Sequence, residues 1–187
     1  DVSEQMESLA RVQQLARLNA VMSECNAAII HCTTQDELFE RIIRVVVESG
    51  HLGMCWIGLT DPQTGLIHPA HAFGQGTEYL QGIDISVHPD EPRGQGPAGT
   101  AVRENHPVWM EDFSTDPSAA PWRERAAHYG WRSMAALPVA RGGQAFGVLM
   151  LYDVRVGWYN PEVRALLEGL AEQISFAVDK LYAQAEI

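Results

Sequence analysis

The residues of this 187-residue chain best suited to chemistry by type and spacing are "GQGPAG" (94–99), followed by the helix-like run "TAVRENH". Glycines in the pattern G-x-G-x-x-G can cradle a pyrophosphate, because the bare backbone approaches the phosphates and a helix N-terminus faces them. That use requires a strand leading directly into the first glycine. Here the strand-like "IDISV" (83–87) is separated from it by "HPDEPR", whose two prolines break the geometry and whose acids repel phosphate. No lysine follows the glycines, so a P-loop fails as well. The dinucleotide reading is rejected.

Thiol and metal chemistry come next. Cys25, Cys32 and Cys55 are odd in number and scattered. Cys25 and Cys32 fall on one face of a helix and do not make the C-x-x-C spacing of a zinc site. Each reads as a small buried hydrophobe, and unpaired cysteines point to a reducing, cytoplasmic setting. A net charge of -11 argues against a surface that grips nucleic acid or anionic lipid. No run of apolar residues is long enough to span a membrane, and the polar start "DVSEQMESLARVQQ" has no signal-peptide core.

The elements that must position these residues are legible from periodicity. Residues 3–31 hold neither Gly nor Pro, and Leu15, Leu18, Met22, Cys25, Ile29 and then Cys32 recur at alternating spacings of three and four. That stripe is a coiled-coil seam or a core face. Thr34 and Glu37 form a capping box for a second helix that stops at Gly50. Strand candidates follow at 54–60, 66–73, 83–87, 107–111, 133–140 and 145–153, with "RGG" (141–143) as a tight hairpin. Pro69 and Pro138 belong at edges or bulges. Asn160 caps a last helix with Pro161 at its first position and a stripe of Val163, Leu167, Leu170, Ile174, Ala177 and Leu181. The expected fold is α+β: a central antiparallel sheet of about six strands, long N- and C-terminal helices on one face, and loops with short helices forming a pocket on the other. The expected organisation is a signalling helix (1–32), a core (33–160) and a C-terminal helix (161–187). Both ends read as helices that once continued into neighbouring domains.

The stretch from "GQGPAGTAVRENHPVWMEDFSTDP" through "PWRERA", "RSMAALP" and "GVLMLYD" resembles the GAF domain, a small-molecule-sensing fold. It is most similar to GAF modules of bacterial signalling proteins that carry diguanylate cyclase (GGDEF) or EAL phosphodiesterase domains, and the resemblance runs from about Leu15 to Tyr182. It implies that Gly94, Gly96, Pro97, Gly99 and Thr100 form the turn at the pocket mouth. Gly94 and Gly96 would supply unusual φ/ψ, and Gly99-Thr100 would let the helix pack close to the sheet.

The family's chemical kinds are tested residue by residue. The helix "PWRERAAHYGW" has no cysteine, which excludes covalent bilin. The cyclic-nucleotide N-K-F-D-E pattern does not assemble. The free methionine sulfoxide reductase kind needs cysteine at the glycine turn, where Ala98 stands, so that enzyme reading fails and a non-enzyme is expected. Haem through His71 is a minor option; His68, His88 and His128 are weaker still. The expected pocket comprises Trp56, His71, Phe73, Trp109, Asp112, Trp122, Tyr129 and Trp131. Asp116, Arg123 and Arg132 could add polar contacts or act as loop locks. The resemblance implies a regulatory module without catalysis of its own, binding an unknown small molecule and driving a linked GGDEF/EAL or histidine-kinase output, with cyclic-di-GMP turnover as the expected signal. It would form a homodimer through Leu15, Leu18, Met22, Leu167, Leu170, Ile174 and Leu181. A ligand-free dimerisation scaffold and a haem redox or gas sensor are the alternatives.

Overall fold

A computed structural model describes residues 1–185. Five helices, α1 (Val2–His31), α2 (Gln35–Glu48), α3 (Pro97–Glu104), α4 (Arg123–Tyr129) and α5 (Pro161–Ala185), accompany five strands: β1 (Met54–Thr60), β2 (Ile67–Gly74), β3 (Val108–Met110), β4 (Ser133–Arg141) and β5 (Gln144–Asp153). The strands form one antiparallel sheet in the order β2-β1-β5-β4-β3. The α+β expectation holds. Residues 83–87 give only a bridge, Ser86 to Leu66, instead of a sixth strand.

The start and stop chemistry is local. Thr34 Oγ1 accepts from the Glu37 amide at 3.2 Å, and Asn160 Oδ1 accepts from the Val163 amide at 3.0 Å. Gly142 and Gly143 both take positive φ (60° and 80°), which the tight β4–β5 turn requires. Pro69 faces Gly58 where the β1–β2 register shifts, on an edge strand, and Pro138 lies beyond the reach of the short β3.

The sheet is covered on both faces. Cys55, Ile57, Ala135, Leu137, Val139, Leu149 and Leu151 meet α1, α2 and α5 in one core. The intervening residues Met54, Trp56, Met134, Ala136, Val148, Met150 and Tyr152 face a second core under the loops and short helices. α1 and α5 run side by side in the same direction: Gln14 donates to the Trp158 carbonyl just before α5, and Met22 lies against Gly169.

This packing corrects the expected dimer surface. Leu18, Leu167, Leu170 and Ile174 are buried inside the protomer, and Met22 and Leu181 pack against the same core. Leu18, Leu167, Leu170 and Ile174 are thereby taken up by the chain's own core and are not open to a second copy, while Leu15, Met22 and Leu181 stay half-buried. The apolar residues left open on α1 are Val2, Met6, Leu9, Val12 and Ile30.

Candidate functional site

The second face of the sheet is roofed by residues 77–131, and the roof is tied down by arginines. Arg125 donates to the carbonyls of Tyr79 and Gln81 at 2.7 and 2.6 Å, fixing the 3₁₀ turn Thr77–Leu80. Arg103 on α3 donates to the carbonyls of Val87 and Gly94 at 2.8 and 2.9 Å. Trp122 Nε1 donates to the Asp84 carbonyl at 3.3 Å. The four arginine bonds are charge-assisted, the stronger class.

The glycine turn works by closeness of approach. Gly96 has ordinary extended φ/ψ (−78°, −177°), but a Cβ there would lie 2.2 Å from Cζ3 of Trp122. At Gly94 a Cβ would stand 1.8 Å from the His88 carbonyl oxygen, and at Gly99 2.2 Å from that of Ser86. The expected role of Gly94 and Gly96 in special backbone angles is corrected: neither has positive φ, and both make room for neighbours. Gly99 packs against the roof loop through Ser86 and Gly94. Pro97 opens α3, and the Thr100 amide donates to the Gly96 carbonyl in its first turn.

Beneath the roof lies a pocket of about 240 Å³ including its mouth, lined by Tyr79, Ile83, Ile85, Pro97, Ala98, Phe113, Trp122, Met134, Met150 and Tyr152. Only about 10 Å³ of it admits the centre of a water molecule, so it is nearly filled by its own side chains. Tyr79 and Tyr152 meet edge to face at 5.3 Å, and Trp131 meets Tyr152 at 6.1 Å. Burial pushes the Tyr79 phenol up to about 12 and Tyr152 well above the ordinary tyrosine value, so both hydroxyls stay protonated and neutral. The indole N–H of Trp56 lies beside Tyr152 without a hydrogen bond of ordinary geometry, and the Trp131 N–H is likewise unpartnered among the described residues.

Trp122 lines this pocket, with Trp56 and Trp131 buried in the core around it and Tyr129 packed against Tyr79 at the roof. His71, Phe73 and Trp109 are not brought there, because strand parity turns them to the helix face. His71 Nε2 lies 3.2 Å from Asp36 Oδ1 on α2 and edge-on to Phe39, which removes it as a haem ligand in the pocket. Phe73 lies under Arg44, and Trp109 packs on Tyr159 beneath Arg164. Asp112 pairs with Arg132 at 3.1 Å; that hydrogen bond, then those from Ser114, hold its carboxyl down to about 2. Asp116 caps the turn Pro117–Trp122, and Arg123 donates to the Asp116 carbonyl at 2.7 Å. These are loop locks.

Sequence reasoning missed Tyr79, Phe113, Met134, Met150 and Tyr152. The signal for Met150 was parity: it pairs with Trp56 across β1–β5, and Tyr152 follows two residues on, on the same face. Reading it required the register.

The thiols lie elsewhere. Cys25, Cys32 and Cys55 are free and buried in the helix-side core. Burial, the leading cause for each, raises Cys25 to about 12 and holds Cys55 well above the ordinary thiol value. Among the described residues no cluster of His, Cys, Asp and Glu could hold a metal ion, and no helix is long and apolar enough to cross a membrane.

Three comparisons with known proteins bear on this arrangement. A family model described as GAF domain matches residues 32–179. No curated protein matches the chain. Among solved structures, the free methionine-R-sulfoxide reductase of Neisseria meningitidis, solved with its substrate, superposes with a TM-score of 0.74 at 18% identity, covering 91% of this chain and 93% of that one. The reduced fRMsr of Staphylococcus aureus gives 0.70 at 13% identity, covering 86% and 94%. The GAF domain of an Acinetobacter phosphoenolpyruvate-protein phosphotransferase gives 0.66 at 17% identity, covering 93% and 98%. At such identities the likeness is one of fold. It nonetheless corrects the expectation of a non-enzyme: this same fold carries catalysis in the reductases, so the architecture does not separate a binder from a catalyst.

Proposed function

The chain belongs to the GAF-domain family, and from that premise we propose that it binds a small molecule in the pocket under residues 77–131 and passes the binding event to its long helices. The observation that carries this reading is the pocket itself: an aromatic lining under an arginine-latched roof. Residues 33–160 are then the sensing core, with 1–32 and 161–187 as the helices that report; Glu186 and Ile187 lie outside the described residues. Three free, buried thiols support a reducing, cytoplasmic setting. On the resemblance in the sequence, the output we propose is a linked domain, with cyclic-di-GMP turnover its chemistry.

The narrow void favours a second reading, a dimerisation scaffold whose pocket its own side chains have filled. Pairing with a second copy would then use the open stripe Val2, Met6, Leu9 and Val12. Native mass spectrometry of the gently purified protein tests both readings. A discrete added mass supports the sensor, and its conversion on incubation makes the pocket an active site. A bare dimer that no small-molecule library stabilises overturns the sensor in favour of the scaffold.

A further inference from the structure

We infer that the cleft between α1 and the loop joining β5 to α5 binds a small organic anion through Arg11, Arg17 and Arg155, at a site separate from the pocket under the roof. Glu7, Arg11 and Arg17 bound the cleft on one side and Arg155, Trp158 and Asn160 on the other, around a space of about 610 Å³. Charge is the first argument. The chain carries a net charge of -11, yet three arginines and one acid, Glu7, line this cleft. Two other clefts follow the sign of the whole chain. Glu168, Glu172 and Asp179 line one beside the β4–β5 hairpin without any Lys or Arg, and Glu37, Glu40 and Glu48 outnumber Arg41 and Arg44 in another along α2. Of the three arginines, Arg155 has a carboxylate partner, Asp153; it also donates to the His51 carbonyl and lies 5.4 Å over the Trp158 ring, which fixes its place. Glu111, behind Gly157, is paired with Arg164. Arg11 and Arg17 make no ion pair among the described residues, so their charge is open to a guest. A guanidinium fork matches the paired oxygens of a phosphate or a carboxylate.

Hydrogen bonding is the second argument. The acceptors on the floor are engaged within the protein. Asn160 Oδ1 accepts from the Val163 amide at 3.0 Å, Gln14 Oε1 from the Asn160 amide group at 3.4 Å, and the Trp158 carbonyl from Gln14 at 3.0 Å. The groups without a partner are donors: the two free arginines and the indole N–H of Trp158, a lining residue only 6% exposed. Arg17 is itself half-buried, which strengthens its attraction for an anion.

Size is the third. The space falls within the ~300–1,000 Å³ of small-molecule sites. Arg11 and Arg17 stand six residues apart on α1, roughly 9 Å along its axis, a span that suits a guest with more than one anionic group. Screening confines their field to about 8–10 Å. A small anion therefore meets the arginines alone, whereas a nucleic acid or an anionic membrane would also meet the acids of the surrounding surface.

The test titrates pyrophosphate and citrate, one phosphate and one carboxylate polyanion, against sodium chloride of equal ionic strength, by calorimetry and by hydrogen exchange. At least one of the two is expected to bind saturably and to slow exchange along the first half of α1, and the tighter one assigns the chemistry. Arg11→Gln and Arg17→Gln should each weaken it about tenfold, the loss of one charge-assisted bond. Glu7→Gln should tighten it about threefold, while Glu172→Gln, an equal change of net charge in the acidic cleft by the hairpin, should leave it unchanged. No binding beyond the chloride control at millimolar concentration overturns the inference. So does binding that survives loss of both arginines, or that rises equally with Glu7→Gln and Glu172→Gln, since attraction to the chain at large would then explain it. None of these outcomes touches the reading of the roofed pocket, with which the cleft shares no residue.

Discussion

At the scale of single residues, the molecule separates two uses of glycine. Gly94 needs space: a Cβ would stand 1.8 Å from a backbone oxygen, which cannot rotate away. Gly82 needs only its positive φ of 67° and has nothing within 4 Å of a Cβ. Gly94→Ala should therefore destabilise by about 3 kcal/mol or more, since the atoms it meets are backbone, and Gly82→Ala by only about 1–2 kcal/mol of left-handed strain. Urea midpoints on the two variants check the order, and equal losses would refute the close-approach account. Asp112 gives a second residue-scale prediction. Its carboxyl is held down to about 2 first by the Arg132 hydrogen bond and then by Ser114. A depressed folded value means that the stabilisation is complete above the ordinary carboxyl range, near pH 4, and is lost as pH falls towards 2. Asp112→Asn should flatten the acid limb of a Tm-versus-pH profile in that window and leave its slope at neutral pH unchanged. An unchanged acid limb would mean that the pair contributes nothing.

At the scale of elements, α5 is the test of what its stripe is for. Leu170 is fully buried between the sheet and α1, whereas Phe176 on the same helix is 71% exposed. Leu170→Ala should cost about 2–5 kcal/mol, and Leu170→Lys should prevent folding; Phe176→Lys should stay within about 0.5 kcal/mol. A stable, folded monomer from Leu170→Lys would return Leu170 to a dimer seam in place of the core. The same contrast shows why part of the fold was legible and part was not. Caps, the RGG hairpin and the strand positions are written in neighbouring residues, so Thr34, Asn160 and Gly142–Gly143 could be read directly. A heptad-like stripe has the same period whether it meets a second copy or its own sheet, so Leu18 and Ile174 read equally well as seam or core. The sheet posed a similar ambiguity. Because helices cover one face and the roof the other, β4 and β5 read as unbroken apolar runs without the alternation that marks a half-exposed strand. Nothing local then says which face Trp109 or Phe73 takes, and both were assigned to the pocket. Trp56, Trp122 and Trp131 are placed around it by contacts distant in sequence.

At the scale of the whole molecule, the pocket and the long helices lie on opposite faces of one sheet, so any signal between them must cross it. β4 and β5, like β1, touch both sides, and they carry the strand residues that line the pocket. Met134, Met150 and Tyr152 face the pocket, while Ala135, Leu149 and Leu151 alternate with them against the helices. The β4–β5 hairpin is also clamped to α5: the Ala140 amide donates to Ser175 Oγ at 2.9 Å, and the Gly142 amide to Asp179 Oδ1 at 2.8 Å. On the proposed sensing function, a guest that pushed Met134 and Met150 apart would shift these strands, and the clamp would convert that shift into a movement of α5. Coupling of this kind requires the ligand to favour one strand–helix arrangement over another, and it acts equally in both directions. Replacing Ser175 with Ala and Asp179 with Asn together should leave affinity for a small molecule that co-purifies in the pocket within about threefold, since neither residue lines it. It should also remove most of the ligand-induced change in hydrogen exchange along α5, a loss of about 1 kcal/mol of coupling. If α5 still responds fully to that molecule in the double variant, the signal travels through the packed core of Leu137, Leu149, Leu170 and Ile174, and the clamp only holds the hairpin in place.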